Sequence, residues 1–211
     1  MNIYKVNHNT EQYEWLVDDT VDDWLDICLS PAGHRFKAAW TPPKFRSINA
    51  AEEGYPGILP SGDSVGLGVT EIALGTRAMS ALGSLLSRFG ELLPINHPGR
   101  ADQLFWFNCT TLVDALDERQ TIAKRFEDGG MYAFDRLWFK PQMLREAQVF
   151  MVPQCKGFLL CTDTFKQHIE ALGLTGLRFT LKWSDEREGI ERINAWEKMA
   201  YKGSLPPIPV P

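Results

Sequence analysis

The chain has 211 residues, of which 44% are hydrophobic, including seven Trp and twelve Phe. It can therefore bury a core as one large domain or two small ones. No apolar run approaches the roughly 18 residues that a membrane-spanning helix needs, and MNIYKVNHNTEQ lacks the basic-then-apolar pattern of a secretory signal. Four cysteines form no C-x-x-C pair, which favours buried free thiols in a reducing cytoplasm.

The net charge of −5 hides a strong local asymmetry. A negative field of this kind disfavours nucleic acid as a ligand, and it would attract a basic partner and speed its association. The alternative is a solvated face without a partner. Between His8 and His34 there is no Lys or Arg, and the acids are Glu11, Glu14, Asp18, Asp19, Asp22, Asp23 and Asp26. We call residues 11–26 the acidic segment.

The first 90 residues predict short strands and two helices. Residues 3–6 and 13–17 favour strands, the second of which could also begin a helix. The spacing of Val21, Trp24 and Cys28 predicts an amphipathic helix from about Asp19. Residues 30–75 are rich in Pro and Gly, which predicts a long irregular connection containing short strands. Thr76 is expected to cap the helix TRAMSALGSLLSRFG, and Gly90 to stop it.

The second half predicts strands with one further helix. QLFWFNCT, MYAFDRLWF, QVFMVP, GFLLC and GLRFTLKW are strand candidates, and the helix TFKQHIEAL begins after Thr162 or Asp163 and ends at Gly173. The mixture lacks regular βα alternation and predicts an α+β fold with a mixed, mainly antiparallel sheet and a few packed helices. We expect a single domain over residues 1–211 with a Pro-rich, extended tail at 204–211.

Residues 107–118, FNCTTLVDALDE, end in the carboxylates Asp114, Asp117 and Glu118. One hypothesis makes them the acid and base of a small hydrolase with His97 or His168, since burial can separate the pKa values of paired carboxylates. The structural alternative, which we favour, lets Asp114 cap a turn and places the other two acids in the first turn of a helix.

Other chemical motifs are weak or missing. Gly62-Asp63-Ser64 superficially matches a hydrolase nucleophile motif, but no D-x-x-H follows near the C-terminus. No paired histidine spacing and no Gly-rich phosphate loop is present, so we expect no metal and no cofactor.

Three stretches together resemble immunity protein family 11 of bacterial polymorphic toxin systems, also called DUF1629. They are SALGSLLSRFGELLPI, FNCTTLVDALDERQT and FLLCTDTFKQHIEALGLTGLRFTLKW. The family's motifs fall on Gly90–Pro94, Phe107–Glu118 and Gly173–Trp183, and Trp40, Pro42 and the Gly62-Asp63 turn resemble its earlier section. The resemblance extends over about residues 35–185. Cys109 and Ser64 depart from it, because a small aliphatic and an aromatic residue are usual there.

The resemblance implies a cytoplasmic antidote, encoded beside a toxin that is delivered between competing bacteria, and not an enzyme. Toxins linked to the family are often nucleases, whose basic surface would complement an acidic face. Trp24 could anchor such a contact, since Trp is enriched at binding hot spots, although a core position is the alternative. A self-associating homodimer is a third hypothesis. The interface candidates are Glu14, Asp18, Asp19, Asp22, Asp23, Asp26 and Trp24.

Overall fold

A computed structural model of the protein describes residues 1–19, 24, 26–28, 30–48, 59–68, 71–125, 127, 131–155 and 157–186. The helices are α1 (Thr76–Leu86) and α2 (Asp163–Ala171), and Trp24 and residues 26–28 are also helical. The strands in chain order are β1 (Asn2–His8), β2 (Trp15–Asp18), β3 (Phe45–Ser47), β4 (Ser64–Leu67), β5 (Glu71–Leu74), β6 (Gly90–Ile95), β7 (Leu104–Cys109), β8 (Ile122–Arg125), β9 (Met131–Arg136), β10 (Val149–Phe150), β11 (Leu160–Thr162) and β12 (Leu177–Ser184).

The strands form three sheets. A four-stranded antiparallel sheet has the order β10-β11-β1-β12, so the N-terminal strand lies between two late ones. A six-stranded sheet has the order β3-β2-β4-β5-β7-β6, and β2 with β4 is its parallel pair. Strands β8 and β9 form a separate hairpin. The predicted α+β class with mainly antiparallel sheets is thus confirmed.

One hydrophobic cluster draws on both larger sheets and on both helices. Val6 of β1, Phe107 of β7, Leu82 of α1 and Phe165 of α2 all belong to it. A second cluster covers the other face of the four-stranded sheet, and a third covers the other face of the six-stranded sheet. The strand predicted in QLFWFNCT is confirmed as β7, in which Phe107 and Cys109 pack into the first cluster while Leu104 and Trp106 pack into the third.

The ends of α1 differ from the prediction. Gly75, not Thr76, is the N-cap, and the helix ends at Leu86 with Ser87 as its C-cap. Gly90 is instead the first residue of β6, a strand that the pattern analysis missed. A Cβ at Gly90 would lie 2.1 Å from the Asn108 carbonyl oxygen of β7. The glycine is therefore required by close strand packing rather than by a helix stop.

Helix α2 ends as predicted at Gly173. The Gly173 amide donates to the Glu170 carbonyl at 3.0 Å, the Leu174 amide donates to the Ile169 carbonyl at 3.4 Å, and Gly173 has φ +57°. These bonds define a Schellman motif, which places a left-handed residue just after the helix. Thr162 is the N-cap residue, one of the two predicted positions.

The helix predicted after Asp114 is wrong. Residues 111–117 form two isolated bridges, Leu112 with Met151 and Leu116 with Phe139, and between them the Ala115 amide donates to the Val113 carbonyl at 2.8 Å. A turn follows at residues 118–120 and leads into β8. The local sequence favours a helix start, but Ala115 and Leu116 are fully buried in the second cluster. Tertiary burial of these two residues therefore overrides the local preference.

Several expectations lie outside the described residues. The Pro-rich tail at 204–211, Asp22 and Asp23 all lie outside them.

Candidate functional site

The acidic segment lies against a segment of opposite charge. Residues 27–51 contain no Asp or Glu, and β3 within them pairs with β2 in the register Val17 to Arg46 and Asp18 to Phe45. The Asp19 amide also donates to the Lys44 carbonyl at 2.9 Å. We call residues 34–46 the basic segment, whose cations are Arg35, Lys37, Lys44 and Arg46.

Three of the seven acids are paired with cations from elsewhere in the chain. Asp19 is 2.6 Å from Lys44 Nζ, and Glu11 is 3.0 Å from the Arg178 guanidinium. The hydrogen bond from Lys44 lowers the pKa of Asp19. Glu14 pairs with Arg100. The negative field around this segment is therefore weaker than the sequence alone suggests.

Glu14 belongs to an internal polar network. Its side chain is 11% exposed and that of Arg100 is 13% exposed. Arg100 also donates to both carboxylate oxygens of Asp102, at 2.9 and 3.2 Å, and contacts the Ser61 hydroxyl. The pKa of Asp102 is lowered by its hydrogen bond with Arg100. This network joins three loops at one end of the six-stranded sheet, so Glu14 has a structural role there.

The remaining described candidates occupy different environments. Trp24 is 4% exposed and packs edge-on against Phe45 and Trp106, each at a centroid distance of 5.0 Å. Its side chain therefore offers little surface to a partner in this arrangement. Asp26 is exposed and Asp18 is partly buried.

The three carboxylates of FNCTTLVDALDE have structural partners. Asp117 accepts from the Arg119 amide at 3.0 Å and from the Gln120 side chain at 2.8 Å, and the latter bond lowers its pKa. Asp117 thus shapes the turn before β8. Gln154 Nε2 donates to Asp114 at 2.9 Å and to Glu118 at 3.1 Å. These bonds support the structural alternative, although the predicted cap and helix are absent from residues 114–118.

Of the two histidines considered for catalysis, His168 is exposed, whereas His97 and the serine of the weak nucleophile motif are engaged or buried. His97 Nε2 lies 3.2 Å from the Ser47 hydroxyl, which donates to Glu14 at 2.9 Å. Because that hydroxyl proton points to Glu14, His97 does not receive it. In the Gly62-Asp63-Ser64 motif, Ser64 is fully buried. Asp63 links distant parts of the chain, because it accepts hydrogen bonds from the Arg77 side chain at 2.7 Å and from the Thr175 amide at 2.8 Å.

Sequence reasoning missed a buried polar pair between β6 and β7. Glu91 is 7% exposed and Asn108 is 8% exposed, and they face each other in register. Asn108 Nδ2 donates to Glu91 at 3.0 Å. Glu91 also accepts from the amides of Phe36 and Lys37, at 2.9 and 3.3 Å. The available signal was a Glu and an Asn inside two otherwise apolar strands, GELLP and FNC.

The described residues contain no group of three or more His, Cys, Asp or Glu side chains that could hold a metal ion. Within the same part of the chain, no helix has both the length and the apolarity needed to cross a bilayer.

No curated protein matches the chain. A family model described as "Immunity protein family (Imm11)" matches residues 94–181. The match contains FNCTTLVDALDE and most of the Gly173–Trp183 motif, and it begins at the last residue of GELLP. It supports an immunity function for the protein. The chain thus matches immunity protein family 11 over residues 94–181, and this confirms the family resemblance seen in its sequence.

Proposed function

We propose that this protein is a cytoplasmic immunity protein that neutralises a cognate antibacterial toxin by direct, stoichiometric binding. The proposed toxin is a nuclease delivered by a contact-dependent or type VI secretion system. The observation that carries the proposal is the family match over residues 94–181. We further propose that residues 1–211 form one domain, which is supported by a hydrophobic cluster shared between both larger sheets and both helices.

The proposed contact surface is the acidic segment. Asp26 is exposed, and neither it nor Asp18 forms an ion pair within the described residues. A nuclease carries basic surface for the phosphate backbone, so unpaired acids would draw it in and raise the association rate. Glu14 and Trp24 support this surface from inside the fold. Glu14 does so through its ion pair with Arg100, and Trp24 through its packing in the third hydrophobic cluster.

The test is a variant in which Asp18, Asp19, Asp22 and Asp23 all become Asn. The partner is the C-terminal domain of the toxin encoded by the gene next to this one. We expect the association rate to fall about tenfold at low salt, because rim charges act mainly on association. The effect shrinks at high salt, where screening is stronger. Surface plasmon resonance across a salt series measures both.

The matched control neutralises four acids elsewhere in the chain. Asp114, Asp117 and Asp135 become Asn and Glu118 becomes Gln, so the net charge changes equally. This control also tests the hydrolase alternative, because it removes all three carboxylates of that hypothesis. Wild-type binding and wild-type protection of toxin-producing cells are expected. A toxin-binding rate and salt dependence that are the same for the first variant as for the wild type would exclude the acidic segment from the interface.

A further inference from the structure

The part of the basic segment that precedes Thr41 is held against the six-stranded sheet by a buried carboxylate. Glu91 accepts from the amides of Phe36 and Lys37, at 2.9 and 3.3 Å. Burying a carboxylate is costly unless hydrogen bonds satisfy it. Here two of its three donors are main-chain amides of a loop, so the buried charge is satisfied only when that loop adopts this one conformation.

Further contacts hold the same loop on both sides of these amides. Asn108 Nδ2 donates to the His34 carbonyl at 2.8 Å, and Trp40 Nε1 donates to the Pro94 carbonyl at 2.7 Å. The rings of Phe36 and Trp40 lie 5.6 and 5.5 Å from that of Trp106. We call residues 34–40 the anchored loop. Its regular structure is limited to the 3-10 turn Lys37–Ala39, so side-chain contacts fix its shape.

The outward side of the anchored loop is cationic and accessible. Arg35, Lys37, Ala38 and Ala39 are exposed. No ion pair to Arg35 or Lys37 is found among the described residues. Two small alanines beside two cations permit close approach of another chain. A loop that is already ordered loses less conformational entropy when it binds, which favours its use in recognition.

We propose that the anchored loop binds acidic side chains of the toxin, with Arg35 and Lys37 as the charge partners. The acidic segment of this protein contacts the same toxin. This inference rests on the proposed function. The anchored loop lies against β6 and β7 and continues through residues 41–44 into β3, which pairs with β2 of the acidic segment. The proposed binding surface extends from the anchored loop to β2 and carries both signs of charge. The partner then presents acidic side chains opposite the anchored loop and basic ones opposite Asp18 and Asp26. Such a pattern also fixes orientation, because a rotated partner would place like charges together.

A protein partner fits this surface better than nucleic acid does. Three of the seven acids of the acidic segment are paired with cations. Asp18 and Asp26, for which the described residues provide no ion pair, would repel a phosphate backbone that extends beyond the loop. A second copy of this chain is the other occupant with both charges. Its binding would appear as concentration-dependent self-association.

The experiment reverses both charges in the variant Arg35→Glu with Lys37→Glu. Both side chains are exposed, so folding should be retained, and thermal unfolding verifies this. The probe is again the C-terminal domain of the toxin encoded by the adjacent gene. We expect the association rate to fall roughly tenfold at low salt and much less at high salt. The control is Arg119→Glu with Lys124→Glu, which changes the net charge equally at exposed positions near β8 and should stay within about twofold of the wild type.

The outcomes separate the two proposals. Failure of the wild type to bind the toxin domain overturns the proposed function and this inference together. Wild-type binding that the Arg35 and Lys37 variant leaves unchanged overturns this inference alone. Self-association of the wild type that the same variant abolishes, seen by light scattering, would assign the loop to a dimer and overturn it too. Tight binding of a duplex DNA that the variant abolishes would also overturn it.

Discussion

Replacing Glu91 by Gln tests whether the buried carboxylate holds the anchored loop. Gln keeps the size of the side chain but replaces one oxygen with a donating amide nitrogen. One carboxylate oxygen of Glu91 accepts from the Phe36 amide and from Asn108, and the other accepts from the Lys37 amide. In either orientation, the Gln side chain therefore directs a donor at a donor.

The expected loss of stability follows from these bonds. A hydrogen bond to a charged group contributes about 1.5–3 kcal/mol and a neutral one about 1 kcal/mol. Removing the charge also relieves its desolvation, which offsets part of the loss. We expect a net destabilisation of about 1–2 kcal/mol. Since 1 kcal/mol shifts Tm by roughly 2–4 °C in a chain of this size, Tm should fall by about 2–8 °C.

Two measurements check this prediction, thermal unfolding and hydrogen exchange of the Phe36 and Lys37 amides. Exchange at these amides should accelerate more than exchange in β7, because the loop loses its acceptor directly. The control is Glu11→Gln, the same chemical change at a side chain that is 64% exposed. It should alter stability by less than about 0.5 kcal/mol. A Glu91 variant with wild-type Tm and wild-type exchange would refute the role given to this carboxylate.

Three further predictions concern the fold. Gly176→Ala should destabilise the protein by about 3 kcal/mol or more, because Gly176 has φ +96° and a Cβ there would lie 1.8 Å from the Ser64 carbonyl oxygen; the mutant retaining wild-type Tm would be the contrary result. Burial, and to a lesser degree Lys5, lower the pKa of His8 below its usual 6.5. Stability should therefore fall as pH drops through 6.5 and below, and His8→Gln should flatten that slope in urea titrations at several pH values. Burial raises the pKa of the Cys109 and Cys155 thiols to about 12 and raises the pKa of the Cys161 thiol well above its usual range. Ellman's reagent at pH 8 should therefore react with Cys28 before these three cysteines.

The elements that the sequence predicts well are those whose local and tertiary signals agree. Strand β7 alternates between two hydrophobic clusters, and α2 ends at a glycine with positive φ. The helix predicted at residues 114–118 is wrong because their acids resemble a helix start, whereas Ala115 and Leu116 are buried in a non-helical segment. Strand β6 was missed because Pro94 and Glu91 interrupt its apolar pattern. Only the structure shows that this glutamate bonds a loop about 55 residues away in sequence.

At the candidate site, the charge of the folded surface differs from the charge that the local sequence suggests. The acidic segment is a long run without cations, which predicts a negative surface. The fold places Lys44, Arg100 and Arg178 beside three of its acids, and β2 beside β3. The absence of acids from residues 27–51 was visible in the sequence. The pairing of this acid-free stretch with the acidic segment depends on strand order, which composition alone does not specify.

Titration calorimetry of the purified protein with the adjacent gene's toxin domain tests the central claim most directly. The account predicts a complex with one copy of each chain and toxin activity that is abolished once one equivalent has been added. Loss of toxin activity at a small fraction of an equivalent, with each copy inactivating many toxin molecules, would contradict it and show that the protein acts as an enzyme.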